Sequence, residues 1–274
     1  MSDPVFPPEI EHIISTYALA LKARDESNLN LLLISKRFHA WLVPELMRTV
    51  VVQRTSGTDK YPWQWKTTIL QKYGIHVQNL FLWTYGPQID YPNPDEYLSL
   101  CPNVTNLVMW TERDITLIEK LPRLPLTHLS FDLSDIPSMT PELSQLFSKI
   151  THVDVMTGAN TEPRLDQLKH FTSITHLAVP EVTPWNLLPR ILETNLTLQV
   201  LILLDGRCRR DAPLRLEGGF DPKVDDPRIM KVTCQPGCEI EEWLLDVQKG
   251  RGMWGIADDA VRERKVLRDA ARQC

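Results

Sequence analysis

One short pattern limits what this chain can fold into. It runs apolar residue, two variable positions, Leu or Val, one variable position, second apolar residue. Copies begin at Val77, Val104, Leu126, Ile150, Ile174 and Leu198, with a further copy at Ile229. Their spacings are 27, 22, 24, 24, 24 and 31 residues. Self-similarity at such a period marks a stacked repeat, because one unit cannot bury its own apolar face and needs neighbours. Between copies, Thr140-Pro141-Glu142 and Thr183-Pro184 place a capping hydroxyl ahead of a proline suited to a first helical turn, and Thr161-Glu162-Pro163 is a looser version. Leu143, Leu146 and Phe147 then form an apolar stripe, as do Leu165 and Leu168. Each unit reads as a strand plus a helix or helical turn, so the expected fold class is α/β.

Side chains alternate along a strand. Leu80 and Leu82, Leu107 and Met109, Leu129 and Phe131, Val153 and Val155, Leu177 and Val179, and Leu201 and Leu203 are predicted to face the core. The residues between them line the other face. Adjacent strands lie ~4.8 Å apart, so equivalent residues stack into ladders. Trp83 then neighbours Trp110, and His128, His152 and His176 form a three-rung column beside Asp132 and Asp154. Large aromatics flanking a polar centre suit a partner-binding surface. Phe81, Trp83, Trp110, His128, His152, Asp154 and His176 are the candidate client-binding residues. The alternatives are cover of the tryptophans by the linker or C-terminus, and a tolerated polar repeat position for the histidines. No metal is expected, because outer rungs ~10 Å apart are too far to share one ion.

The pattern resembles the strand segment of leucine-rich repeats. The usual asparagine after the strand is absent in most copies, so it is similar to the irregular repeats attached to F-boxes. That resemblance implies a solenoid with parallel strands on the concave face and helices on the convex face.

The first fifty residues differ in kind. Pro7 and Pro8 suit a helix start, followed by Ile10, Ile13, Ile14 and Tyr17 at helical spacing. Leu29 and Leu31 to Ile34 cover nearly every angle of a helix, more apolar surface than so short a unit can bury. Phe6-Pro7-Pro8-Glu9-Ile10, the Leu31–Ile34 run and Ser35-Lys36-Arg37-Phe38-His39-Ala40-Trp41-Leu42 together resemble an F-box, and Pro44 to Val52 leave it as many fungal F-box proteins do. The resemblance implies docking to the Skp-type adaptor of an SCF ubiquitin ligase, and through it to a cullin and a RING subunit. On that resemblance Pro7, Pro8, Ile10, Leu31, Leu32, Ile34, Phe38 and Trp41 are the adaptor-binding residues. The alternative is a helical cap over the first repeat.

The expected organisation is an F-box-like helical domain over 1–52, a linker over 53–75, a repeat array over 76–235 and C-terminal helices over 236–274. Trp63 and Trp65 in the linker are expected to pack at the junction, with a short helix over 66–73. Arg207-Cys208-Arg209-Arg210 lies in a long charged excursion and offers a grip for an acidic client motif. Ile240, Trp243, Leu244 and Val247 fit one helical face ending at Gly250 and Gly252, and Ile256, Ala260, Leu267 and Ala271 lie along a second helix. This pair is expected to close the last repeat.

Composition narrows the function. The net charge of −5 opposes generic nucleic-acid binding, which needs concentrated positive charge. No apolar run approaches the ~20 residues of a membrane span, and the N-terminus lacks a signal peptide's basic start and apolar stretch, so a cytoplasmic or nuclear protein is expected. The five cysteines are odd in number and scattered, and Cys234 and Cys238 have no second pair, so free thiols rather than a zinc site are expected. No phosphate-cradling glycine loop, nucleophile elbow or His-Glu metal motif is present, and no cofactor is expected. The function expected is substrate recognition for an SCF-type ligase, or, failing adaptor binding, a repeat scaffold capped by its N-terminal helices.

Overall fold

The computed structural model describes residues 6–21, 35–53, 63–83, 94–110, 115–132, 136, 139–156, 165–180, 183, 187–205, 215–216, 226–233, 239–250 and 252–273. Helix α1 spans Pro8–Leu21 and α2 spans Lys36–Met47. Ser35 caps α2 by accepting from Phe38 N at 3.1 Å, and the helix runs through Pro44. The sheet strands are β1 Thr49–Gln53, β2 Asn79–Trp83, β3 Asn106–Trp110, β4 His128–Asp132, β5 His152–Met156, β6 His176–Pro180, β7 Val200–Asp205, β8 Arg215–Leu216 and β9 Ile229–Thr233. They form one sheet in the order β1-β2-β3-β4-β5-β6-β7-β9-β8. All pairings except the short β8–β9 one are parallel.

Parallel neighbours need a crossover that covers one face. Helices α3 Trp63–Tyr73, α4 Pro94–Leu100, α5 Ile115–Lys120, α6 Pro141–Phe147 and α7 Leu187–Thr194, with a 3-10 turn at Leu165–His170, supply it. Thr140 caps α6, accepting from Leu143 N at 3.2 Å ahead of Pro141, as its sequence suggests. Thr161 to Pro163 and Pro184 lie outside the described residues. The six predicted pairs of inward residues all fall in the core between sheet and helices. A second layer in that core comes from the residue three positions before the pattern, where Phe147 and Phe171 stack at 4.4 Å and Cys101 is fully buried. Burial pushes the Cys101 thiol up to about 12, so it is an inert apolar group. Gly74 holds the corresponding place in an earlier unit. A Cβ there would lie 2.2 Å from the Leu100 carbonyl oxygen, so only glycine admits the close approach.

Three features depart from the expected register. The sheet begins at β1, whose Thr49 pairs with Asn79, so the first strand lies ahead of residue 76 and α3 is the first crossover helix. At the far end Ile229 pairs with Leu201, not with Leu198, 28 positions earlier in the chain. That offset of three from the sequence register reverses the faces, because side chains alternate with period two. Ile229 joins the core, while Met230 and Val232 turn to the face opposite the crossover helices.

The third departure concerns the C-terminus. Helices α8 Glu239–Lys249 and α9 Met253–Gln273 do cover the last strands, but from the face opposite the crossover helices, and they continue across that face to β2. The buried side of α9 is Ala257 and Val261, one position offset from the expected Ile256, Ala260, Leu267 and Ala271 line, and Leu267 is exposed. Asp246 locks the corner between the two helices by accepting the backbone N–H groups of Gly252, Met253, Trp254 and Gly255. Gly250 ends α8 at φ +57°, the left-handed conformation common after a helix C-terminus.

Candidate functional site

The face opposite the crossover helices is built from the odd positions of β2 to β7 and the even positions of β9, and the register places its ladders where the repeat predicts. Trp83 lies opposite Trp110 across β2–β3, and their rings meet edge to face at 5.3 Å. Phe81 meets Trp110 at 5.1 Å. The histidines form a column, with His128 and His152 stacked at 4.0 Å and His152 and His176 at 4.1 Å.

Each histidine is held by the threonine before it. Thr127, Thr151 and Thr175 Oγ1 lie 2.9, 2.9 and 2.8 Å from Nδ1 of the next residue. Each hydroxyl also lies 3.2 Å from the carbonyl oxygen of the preceding unit's threonine. That oxygen already accepts two backbone N–H groups, as Thr151 O does from Thr175 and His176. Each hydroxyl donates to that oxygen as well, and meets Nδ1 of the histidine as its second partner. Burial, and then the neighbouring rings, push His128 down to about 4 and His152 down to about 2, so both rings are neutral near pH 7. Stacked parallel, their nitrogens do not converge on a common point.

A polar chain connects the aromatic cluster to the column. Trp110 Nε1–H donates to Ser130 Oγ at 3.3 Å, and Ser130 donates to Asp154 Oδ2 at 2.8 Å. Asp154 Oδ1 is buried with no hydrogen-bond partner. Burial pushes this carboxyl up to about 6, against the lowering effect of the Ser130 bond.

The candidate client-binding residues are thus brought together on one face, and the chain's own helices lie over them. Trp243 of α8 packs edge-on to Phe81 at 5.3 Å, and its Nε1–H donates to Asn106 Oδ1 at 3.1 Å. Trp254 of α9 sits edge-on over His152 and His176 at 5.4 and 5.8 Å. Asp258 meets His176 Nε2 at 2.9 Å. Further along, Ala257 and Val261 close over Ala178, Val200, Ile202, Met230 and Val232. Cover of the tryptophan ladder by the C-terminus, one of the alternatives weighed above, is what the structure displays. The roles of Trp243, Trp254 and Asp258 were not read from the sequence. Their signal was the apolar flank at Val200 and Ile202, which no soluble chain leaves open.

The second candidate surface is N-terminal. Pro7 and Pro8 are exposed where α1 begins, and Ile10 lies on its open side. Phe6, Ile10, Ile13 and Ile14 are 51%, 42%, 61% and 47% exposed. Trp41 is half-buried against His12 at 5.3 Å, and Phe38 lies 6.1 Å from it. Arg37 pairs with Glu11 at 2.9 Å and ties α2 to α1. On its other side α2 buries Leu42 and Val43. Leu31, Leu32 and Ile34 lie outside the described residues, as do the Arg207–Arg210 run and Cys208, Cys234, Cys238 and Cys274; the Trp63 and Trp65 backbones belong to α3.

Among the described residues no helix is long and apolar enough to cross a membrane. No protein-family model matches the chain, and a search of curated proteins returns no match.

Proposed function

We propose that the protein is a substrate-recognition subunit of an SCF-type ubiquitin ligase, working in the cytoplasm or nucleus. Its N-terminal helices dock on a Skp-type adaptor and its repeat sheet holds a client. It performs no bond chemistry itself, and acts by raising the client's effective concentration beside the ubiquitin carrier. One observation carries this reading. Phe6, just ahead of α1, and Ile10, Ile13 and Ile14 on it form an apolar stripe that the folded chain leaves 42% to 61% exposed, while the same chain closes an apolar core from β1 to β9. Contiguous apolar surface of that kind marks a partner interface. The resemblance of this segment to an F-box supplies the identity of the partner. The second reading, a capped scaffold, is favoured by Leu42 and Val43, which α2 buries ahead of the first strand. The two uses employ different sides of the helix pair.

Co-purification with a Skp-type adaptor separates them. The wild-type chain should retain the adaptor, and Ile10→Asp with Ile13→Asp should abolish retention while leaving the melting temperature unchanged. A wild-type chain that fails to retain the adaptor, or a double variant that keeps it, refutes the ligase reading and leaves the scaffold.

A further inference from the structure

The face beneath α8 and α9 has one unmet requirement. The helices satisfy Asn106 through Trp243 and His176 through Asp258. They leave Asp154 Oδ1 buried and without a donor. An acceptor in that state is a standing cost to the fold, larger when it is ionised. The raised carboxyl of Asp154 has the same physical origin. Helix α8 itself is loosely seated. Ile240, Trp243, Leu244, Leu245, Asp246 and Val247 are each only half-buried, whereas Ala257 and Val261 of α9 are fully buried.

We propose that the concave face from β2 to β5 binds an amphipathic partner helix bearing an aromatic ring for the Phe81–Trp110 cleft and, one to two turns on, a Lys, Arg or Gln donor for Asp154, and that α8 occupies this surface in cis. The chain supplies its own example of the ligand: Trp243 shows that the cleft takes an indole, with Asn106 fixing its N–H. The second element follows from distance. Trp110 and Asp154 are two strand spacings apart, ~10 Å. At ~1.5 Å per residue that is about seven positions after the ring, and the length of a Lys, Arg or Gln side chain brings a donor as few as four positions on into range. In α8 those positions are Val247, Gln248, Lys249 and Gly250. Val247 and Gly250 carry no donor, and Gln248 and Lys249 are exposed. A partner helix with a donor turned inward there offers Asp154 what α8 does not.

This deepens the client half of the proposed function and is independent of the adaptor half. A cis helix has an effective concentration in the millimolar range, so a partner helix has to out-compete it. The test uses fluorescent peptides spanning residues 239–252, in native sequence and with Val247→Lys, titrated by anisotropy into the full chain carrying Trp243→Ala. We expect both peptides to bind that chain at least tenfold more tightly than they bind wild type. The Val247→Lys peptide should bind at least tenfold more tightly than the native one, and Asp154→Asn in the chain should erase that gain. A folded Trp243→Ala chain that binds neither peptide, or a gain that survives Asp154→Asn, overturns the inference. Should Trp243→Ala not fold, wild type folded and then cut at a protease site inserted between residues 234 and 238 takes its place, read by peptide exchange. Adaptor retention by the same chains without peptide binding would defeat this inference and leave the ligase reading standing.

Discussion

Asp154→Asn is expected to stabilise the protein at pH 8 and to do little at pH 4. The carboxyl is pushed from 3.8 up to about 6 because it is desolvated by burial, and the one donor it receives, Ser130, offsets this only in part. In the unfolded chain the acid ionises near its ordinary value; in the fold it keeps its proton to about 6. A raised carboxyl gives full stability below the unfolded value, and that contribution is lost as pH rises through the folded one. At ~1.4 kcal/mol per pH unit the loss is ~3 kcal/mol by pH 7. Asparagine keeps an oxygen for Ser130 and exchanges an unpaired acceptor for an unpaired donor, a near-even trade at ~1–3 kcal/mol on either side. The net gain at pH 8 is therefore ~2–3 kcal/mol, or roughly 4–10 °C in Tm for a chain of this size. Urea titrations of both proteins at pH 4.5, 6 and 8 measure it. An asparagine variant less stable than wild type at pH 8, or a difference that does not change with pH, would refute the burial argument.

The histidine column predicts the opposite slope. His128 and His152 are held near 4 and 2, so the unfolded chain takes up protons below 6.5 that the fold refuses. Stability is present above 6.5 and falls with pH below it. Removing one such group by His152→Gln should reduce that slope by ~1.4 kcal/mol per pH unit between pH 6.5 and 4, and equal slopes in urea titrations would contradict it. Gly255→Ala should open the α8–α9 corner, because its Cβ would lie 2.1 Å from the backbone oxygen of Gly250. A cost of ~1–3 kcal/mol is expected, seen as faster hydrogen exchange of the α8 amides with β4–β6 amides unchanged.

Much of the sheet was legible because its signal is local and repeated. The pairs from Leu80 and Leu82 to Leu201 and Leu203 each state their own face, and the spacing of 24 aligns Thr127, Thr151 and Thr175 without knowledge of the fold. The same logic failed at the ends for a physical reason. Strand β1 has one neighbour and β9 has β7 on one side and only the two-residue β8 on the other, so their sequences bear a weaker constraint. Thr49 to Gln53 carries the pattern weakly, as Met47, Val50 and Val52, and reads as the tail of the helical segment. Ile229 matches the motif in a register three positions from its real one. The candidate site was legible as a set of residues and not as a closed surface, because Trp243 Nε1 reaches Asn106 across 137 positions of sequence. No local pattern records so long a contact.

The cover over the concave face changes what its residues mean. On an open leucine-rich-repeat-like surface, a column of three imidazoles would be solvated and would titrate near its ordinary value. Burial holds His128 and His152 neutral, Trp254 lies over His152 and His176, and the column becomes a row of aromatic surfaces with one polar end at Asp258. Likewise Val200, Ile202, Met230 and Val232 make no sense as a solvated face and complete sense beneath Ala257 and Val261. The face therefore has two regions. From β6 to β9 it is a second hydrophobic core that α9 closes as part of the fold. From β2 to β5 it is aromatic and polar, with Trp243 of α8 against Phe81, Trp254 of α9 over His152, and Asp154 Oδ1 without a donor among the described residues. Stability selects the first pattern, since an apolar cover there removes surface from water. It does not select the second, where a buried unpaired oxygen is a standing cost that a single donor on α8 would remove. A cost that local sequence change could lift so easily is better placed at a binding surface than in a core, and this favours the β2–β5 half as the site of the proposed client.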